Sequence, residues 1–218
     1  MTRDHSRGGW AVVIPVKAAT RGKSRLDVPD VNRVALARAI ALDTISAVAA
    51  CDVVARIVVV TDDPTLAIHA GDIPQLRFVD EGDAGGLNQA IERGVKTIPD
   101  GMLRAALLAD LPALQSPDLE RTLNSAASIA RGVVADVDGT GSTLVTMQAG
   151  SDWKTAFGEG SFAKHLALRH VPLDVPEDSS LRRDVDTAEH LALAQRLGVG
   201  PRTASVLAQR AVQGENSR

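Results

Sequence analysis

The chain has 218 residues and a net charge of −3, with no basic block and no basic run interleaved with aromatics, which argues against a nucleic-acid binder. Apolar residues make up 44 % of it but aromatics only 2 %, so its core has to be built from Ala, Val, Leu and Ile. Its one cysteine, Cys51, cannot form an internal disulfide, no segment is apolar for long enough to span a bilayer, and the first residues (MTRDHSRGG) lack an apolar signal core; a soluble, cytoplasmic protein is expected.

Residues 1–9 read as a flexible polar arm. Residues 10–16 (WAVVIPV) are apolar at every position, the pattern of a strand covered on both faces. A loop, 17–29, carries Lys17, Arg21, Lys23 and Arg25, and from 32 to 50 apolar residues recur at helical spacing. Residues 56–60 (RIVVV) form a second strand ending at Thr61-Asp62-Asp63-Pro64, with a short helix after it, and 76–79 form a third. The Gly-rich acidic loop 80–88 (DEGDAGGLN) runs into a helix over 87–97. Next comes 104–112 (RAALLADLP), a short apolar strand over 104–109 that closes on Asp110 and Pro112. Ser116-Pro117-Asp118 reads as a helix start with a serine cap. Residues 132–135 and 143–147 are strands separated by 136–142 (DVDGTGS), and 157–161 (FGEGS) leads into a helix ending near 168. A strand-like piece over 181–185 ends at Asp186, a helix spans 187–197, and the tail from Pro201 adds a further helix that frays. Strands alternating with helices at this spacing predict a mostly parallel sheet covered on both sides. One domain over 10–200, followed by a C-terminal helix or tail over 201–218, is the expected organisation.

Four constellations could carry chemistry. Asp110 sits where a buried strand leaves the sheet, the edge at which open α/β sheets bind ligands, and a carboxylate there needs a cation, donors or water. Asp184 and Asp186 share a face if their segment is extended, and hard oxygen ligands at strand ends suit Mg2+. Asp186 could equally cap the following helix, with Glu189 completing a capping box. The loop after the first strand contains Gly22-Lys23-Ser24 but has Lys17 where a P-loop needs glycine, so it is either a basic clamp for a triphosphate or a solvated surface loop. The stretch 139–143 (GTGST), with Gly158 and Ser161, could offer N–H groups and hydroxyls to an anion, or be a hairpin loop and an ordinary helix cap. The amide of Asn88, after Gly85 and Gly86, could read a base edge. The five histidines show no metal spacing, and no nucleophile elbow is present.

Together, 13–26 (VIPVKAATRGKSRL), 59–63 (VVTDD), Gly86-Leu87-Asn88, 108–112 (LADLP), GTGST and 184–187 (DVDT) resemble, in order and over nearly the whole chain, the guanylyltransferases of coenzyme F-420 biosynthesis that act on phosphoenolpyruvate or 2-phospho-L-lactate. That family is related to molybdenum-cofactor guanylyltransferases and sugar nucleotidyltransferases. The resemblance implies an α/β fold of the Rossmann-like three-layer α/β/α kind, with a mostly parallel, mixed central sheet. The chain lacks those cousins' Gly-rich loop after the first strand, and residues 17–25 stand in its place.

The resemblance further implies that GTP and a phosphorylated three-carbon acid condense with release of pyrophosphate. On it, Asp110, Asp184 and Asp186 hold Mg2+, while Thr143, Gly158 and Ser161 bind the acid. Lys17, Lys23 and Arg25 face the triphosphate and complete the catalytic set with Asp110, and Gly86 and Asn88 bind the nucleotide. The Arg- and Ala-rich composition looks actinobacterial, and in such relatives the acid is phosphoenolpyruvate; the next enzyme of the pathway is a further partner the resemblance suggests. Rival readings are the same chemistry on 2-phospho-L-lactate or 3-phosphoglycerate, transfer to a molybdopterin or sugar phosphate, and a non-catalytic nucleotide sensor.

Overall fold

The computed structural model describes residues 9–18, 26, 28–83 and 85–215. Residues 1–8 of the arm expected over 1–9, and the loop residues Arg21, Lys23 and Arg25, lie outside them. Among the described residues seven strands form one sheet: β1 (Trp10–Pro15), β2 (Val54–Val60), β3 (Leu76–Val79), β4 (Leu103–Leu107), β5 (Arg131–Ala135), β6 (Ser142–Met147) and β7 (Val171–Pro172), in the order β3-β2-β1-β4-β6-β5-β7. β1, β2, β3 and β4 pair in parallel, and β6 alone runs against its neighbours β4 and β5. The sheet is mostly parallel and mixed, as the alternation of strands and helices predicts.

Strand residues alternate between two apolar clusters, which is why β1 and β2 read as apolar throughout. Val12, Ile14, Ile57 and Val59 face one side, while Ala11, Val13, Val58 and Val60 face the other. On the first side lie α1 (Arg33–Ala49), the short α2 (Pro64–Ala70) and α4 (Ser116–Ala126); on the second lies α3 (Leu87–Val95). α3 approaches so closely that a Cβ on Gly94 would stand 2.6 Å from Val13 Cγ1 and 2.7 Å from Val60 Cγ2, and only glycine fits there.

α1 is buried on more than one side because a third cluster covers it. Leu36 and Ile40 pack with Val185 and with Leu191 and Ala194 of α6 (Ala188–Leu197). The last helix, α7 (Pro201–Glu215), is anchored from α1. Buried Asp43 accepts from the backbone N–H groups of Arg202 (3.2 Å) and Thr203 (2.7 Å), an N-cap supplied from elsewhere in the chain. No helix among the described residues is long and apolar enough to cross a membrane.

Local expectations needed correction at three places. The serine of Ser116-Pro117 lies inside α4, and Gln115 occupies the cap position without a side-chain bond. The 181–185 piece is not a strand. Asp118 draws in Ser180 N–H, Ser180 Oγ and Ser179 Oγ at 2.7–3.0 Å, and Ser179 Oγ accepts from Leu181 N–H, so residues Ser180–Arg182 curl into a 3-10 turn. Finally, β4 ends at Leu107, two residues before the expected 109, which moves Asp110 into the loop beyond the sheet.

Candidate active site

Strand order reverses between β1 and β4, and ligands of open α/β sheets bind outside the carboxyl ends at such a point. A cavity of about 750 Å3 opens there. Pro15 at the end of β1 with Val16 and Lys17 after it, Asp63 after β2, and Leu108, Ala109 and Asp110 after β4 line one part of it. Because β6 runs the other way, its first residue, Ser142, reaches the same edge. With Asp136, Asp138 and the loop from Phe157 to Ser161 it forms another part of the wall. Asp184 and Asp186 complete the lining.

The Asp110 loop is held from three directions. The buried hydroxyl of Thr44, on α1, accepts from Leu111 N–H (3.2 Å) and lies 3.3 Å from the Ala109 carbonyl, bracketing Asp110 on both sides. Val185 N–H donates to the Asp110 carbonyl at 2.9 Å, and Gly200 N–H donates to that of Pro112 at 2.8 Å. The Val185 bond brings the 184–186 segment to Asp110. With the Val185 side chain buried in the third cluster, Asp184 and Asp186 both reach the cavity although the segment is not a strand. The helix cap considered for Asp186 is supplied instead by Thr187, whose Oγ1 accepts from His190 N–H at 3.2 Å.

Among the described residues no three Asp, Glu, His or Cys side chains converge on one point as a closed metal cage. The carboxylates at this edge are hard oxygen donors of the kind that hold a small divalent cation one or two at a time, the rest of its shell coming from phosphates and water. That donor set fits such a cation.

Further residues of the wall were not singled out from the sequence. Arg38, on α1, sits in it with its guanidinium 3.6 Å from Asp63. Burial would raise the Asp63 carboxyl, but hydrogen bonds from Thr65 and the charge of Arg38 outweigh it and hold the carboxyl below its usual range. In the sequence Arg38 reads as one polar residue of an amphipathic helix, which hides it. His190 also lines the cavity.

The Gly-rich hairpin differs from the open anion cradle considered for it. Asp136 accepts from the N–H groups of Thr140 (3.0 Å) and Gly141 (2.7 Å), and its carbonyl takes Gly139 N–H, so these donors are occupied by the loop itself. An Asp four residues before a Thr-Gly pair was the readable signal of that turn. Gly158 and Ser161 do line the cavity. Thr143 lies beside the cavity and not in its wall, fully buried, and its Oγ1 has no hydrogen-bond partner among the described residues. Asn88 is also set back. Its amide donates to the Phe157 carbonyl (3.0 Å) and accepts from Phe157 N–H (2.8 Å), tying α3 to the Phe157 loop, and Gly86 stands just ahead of it with φ 139°. Lys17 is exposed in the wall, whereas Lys23 and Arg25 fall outside the described residues.

The chain is similar to several known proteins. Residues 10–204 match the model of the family described as guanylyl transferase, CofC like. The phosphoenolpyruvate guanylyltransferase of Salinispora arenicola is 45 % identical, covering 89 % of this chain and 92 % of its own. That of Streptomyces scabiei is 41 % identical, covering 94 % and 99 %. Among solved structures, the 4-diphosphocytidyl-2C-methyl-D-erythritol synthase of Anaerococcus prevotii superposes with a TM-score of 0.54 at 11 % identity, covering 86 % of this chain and 95 % of that one. A Mycobacterium tuberculosis protein solved as a complex with manganese gives 0.52 at 18 % identity, covering 88 % and 100 %. At such identities the structural likeness speaks to the fold alone, which is of the nucleotidyltransferase type.

Proposed function

This chain belongs to the CofC-like guanylyl transferase family, and from that premise we propose that it condenses phosphoenolpyruvate with GTP to give enolpyruvoyl-2-diphospho-5'-guanosine and pyrophosphate, a step of coenzyme F-420 biosynthesis. The observation that carries the reading is the junction of Asp110 with the 184–186 segment, through Val185 N–H, at the mouth of a cavity within the size range of small-molecule sites.

In this reaction an oxygen of the acid's phosphate attacks the α-phosphorus of GTP. A new phosphorus–oxygen bridge forms, and the bond to the departing pyrophosphate breaks. The attacking phosphate is already ionised, so no residue has to abstract a proton. The chain's task is to bring two anions together and hold them in line. Asp110, Asp184 and Asp186 would hold Mg2+, which when bound neutralises developing charge on the phosphates. Lys17 and Arg38 place cationic side chains in the wall, and Lys23 and Arg25 belong to the same basic loop as Lys17. Gly158 and Ser161, in the same cavity wall as Asp110, receive the acid. Thr143, beside them, supports that wall, and Asn88 with Gly86 sets the position of the Phe157 loop at the nucleotide end.

The test is the identity of the product. The 31P spectrum of a reaction of GTP, Mg2+ and phosphoenolpyruvate should gain the signals of an unsymmetrical diphosphate together with free pyrophosphate. Conversion of GTP to GDP and phosphate, or no conversion, would contradict the proposal.

A further inference from the structure

We propose that Ser142 is a hydrogen-bond donor to the acceptor acid and that His165 is the positioning residue that keeps its hydroxyl in that role. This rests on the reading that the acid sits between Gly158, Ser161 and Asp110.

Ser142 is the first residue of the antiparallel strand β6, which is what brings its side chain to the carboxyl edge of the parallel strands and into the cavity wall. Its Oγ lies 3.0 Å from Nδ1 of His165, a fully buried residue of α5 (Ser161–Ala167). The other ring nitrogen, Nε2, is 2.9 Å from the backbone N–H of Ala156. A backbone N–H can only donate, so Nε2 must present a lone pair, and the ring's single proton is therefore on Nδ1. The Ser161 backbone, one turn back, also favours a protonated ring, against the stronger effect of burial. Nδ1–H then donates to Ser142 Oγ. An oxygen that accepts from the ring turns its own hydrogen away from it, and among the described residues no protein acceptor takes that hydrogen. Ser142 lines the cavity, where a ligand could take it.

The same ring fixes another part of the wall. Through Ala156 it holds the start of the loop that carries Gly158 and Ser161, and Phe157 packs edge-on to it with ring centres 5.0 Å apart. His170 closes the C-terminal end of α5, its N–H and Nδ1 at 3.0 and 3.1 Å from the His165 carbonyl. One buried imidazole thus sets both the hydroxyl and the loop between which the acid is received. Protonating Nε2 would set two donors against each other at Ala156. Burial, and then the neighbouring His170, push the His165 pKa down to about 4, so the donor pattern stays constant near neutral pH. The charged group next in line, Arg131, acts on His170 in the same direction. The ring takes no proton from substrate.

The first measurement needs no substrate. In the full chain, 15N NMR of the histidine side chains near neutral pH should show His165 with Nδ1 protonated and Nε2 as a bare lone pair. An Nε2–H tautomer or an imidazolium would overturn the proposal. The second separates binding of the two substrates. Ser142→Ala should raise the KM for phosphoenolpyruvate roughly tenfold, the loss of one hydrogen bond to a charged group, with the KM for GTP unchanged; the melting temperature should fall as well, because the buried His165 Nδ1–H loses its acceptor. Ser142→Thr, which keeps the hydroxyl, should stay near the wild type. His165→Asn, whose amide N–H replaces Nδ1–H, should raise the acid KM less than His165→Leu. If Ser142→Ala leaves the acid KM intact, or moves both KM values together, Ser142 is not the donor. Failure of the wild-type chain to use phosphoenolpyruvate would count against the parent reading alone, because the tautomer is decided in its absence.

Discussion

At the scale of single residues, the site depends on a few groups whose neighbours are as informative as the groups themselves. Asp110→Asn keeps the size of the side chain and removes its charge. The expected outcome is a fall in kcat/KM of about two to three orders of magnitude with an unchanged melting temperature, and near-normal turnover would remove Asp110 from the metal site. Thr44→Val tests the support behind it. The variant leaves Leu111 N–H without its acceptor in a buried place, which should lower unfolding stability by about 1–3 kcal/mol and reduce turnover, whereas Thr44→Ser should restore both. Asp110 was legible in the sequence because an acid directly after an apolar run marks a strand end. Thr44 was not, since a threonine inside a helical repeat gives no sign that its hydroxyl meets a loop 67 residues further along the chain. Ser142 was hidden for a related reason. It looks like one more small residue of a glycine loop until the direction of β6 is known.

Secondary-structure elements were mostly readable, and the exceptions are those shaped by tertiary contacts. β3 came out at the expected residues and α1 within one residue at each end, because apolar periodicity and the Asn32 cap act locally. The 181–185 piece failed because Asp118, on α4, captures Ser179 and Ser180, a contact across 61–62 residues that no local pattern announces. α5 carries a consequence for pH. His165 and His170 are both held below the ordinary histidine value, His165 at about 4, with burial the leading cause for each. The unfolded chain therefore binds protons that the folded one refuses, and the stability of the neutral pair is complete above about pH 6.5 and lost as pH falls toward 4. The His165 contribution alone is on the order of 3 kcal/mol. Thermal unfolding should show a melting temperature that drops between about pH 7 and pH 5, with part of that slope absent in His165→Leu. A flat profile across that interval would mean that the ring is not held neutral. Asp63 and Asp118, whose carboxyls are depressed, lose their contributions only at lower pH.

For the molecule as a whole, topology explains why distant segments make one site. The parallel strands end at a common edge, the order reverses between β1 and β4, and the single antiparallel strand β6 delivers Ser142 to that edge from the opposite direction. The mostly parallel sheet could be inferred from alternating strands and helices. The reversal of β6 against β5 was implied by a loop too short for a parallel crossover, but its pairing with β4 on the other side was not, because local sequence does not state a strand's second neighbour. The third apolar cluster, which clamps α1 between sheet, α6 and the Val185 segment, was equally out of reach, yet it carries Asp184 and Asp186 to Asp110. What decides the function is the acceptor joined to GTP at this edge. Pyrophosphate release from GTP and Mg2+, with phosphoenolpyruvate, 2-phospho-L-lactate and 3-phosphoglycerate offered separately, tests it directly. Rapid release is expected with phosphoenolpyruvate and little with the other two. Release with another of these acids alone, or with none of them, would contradict the proposed function.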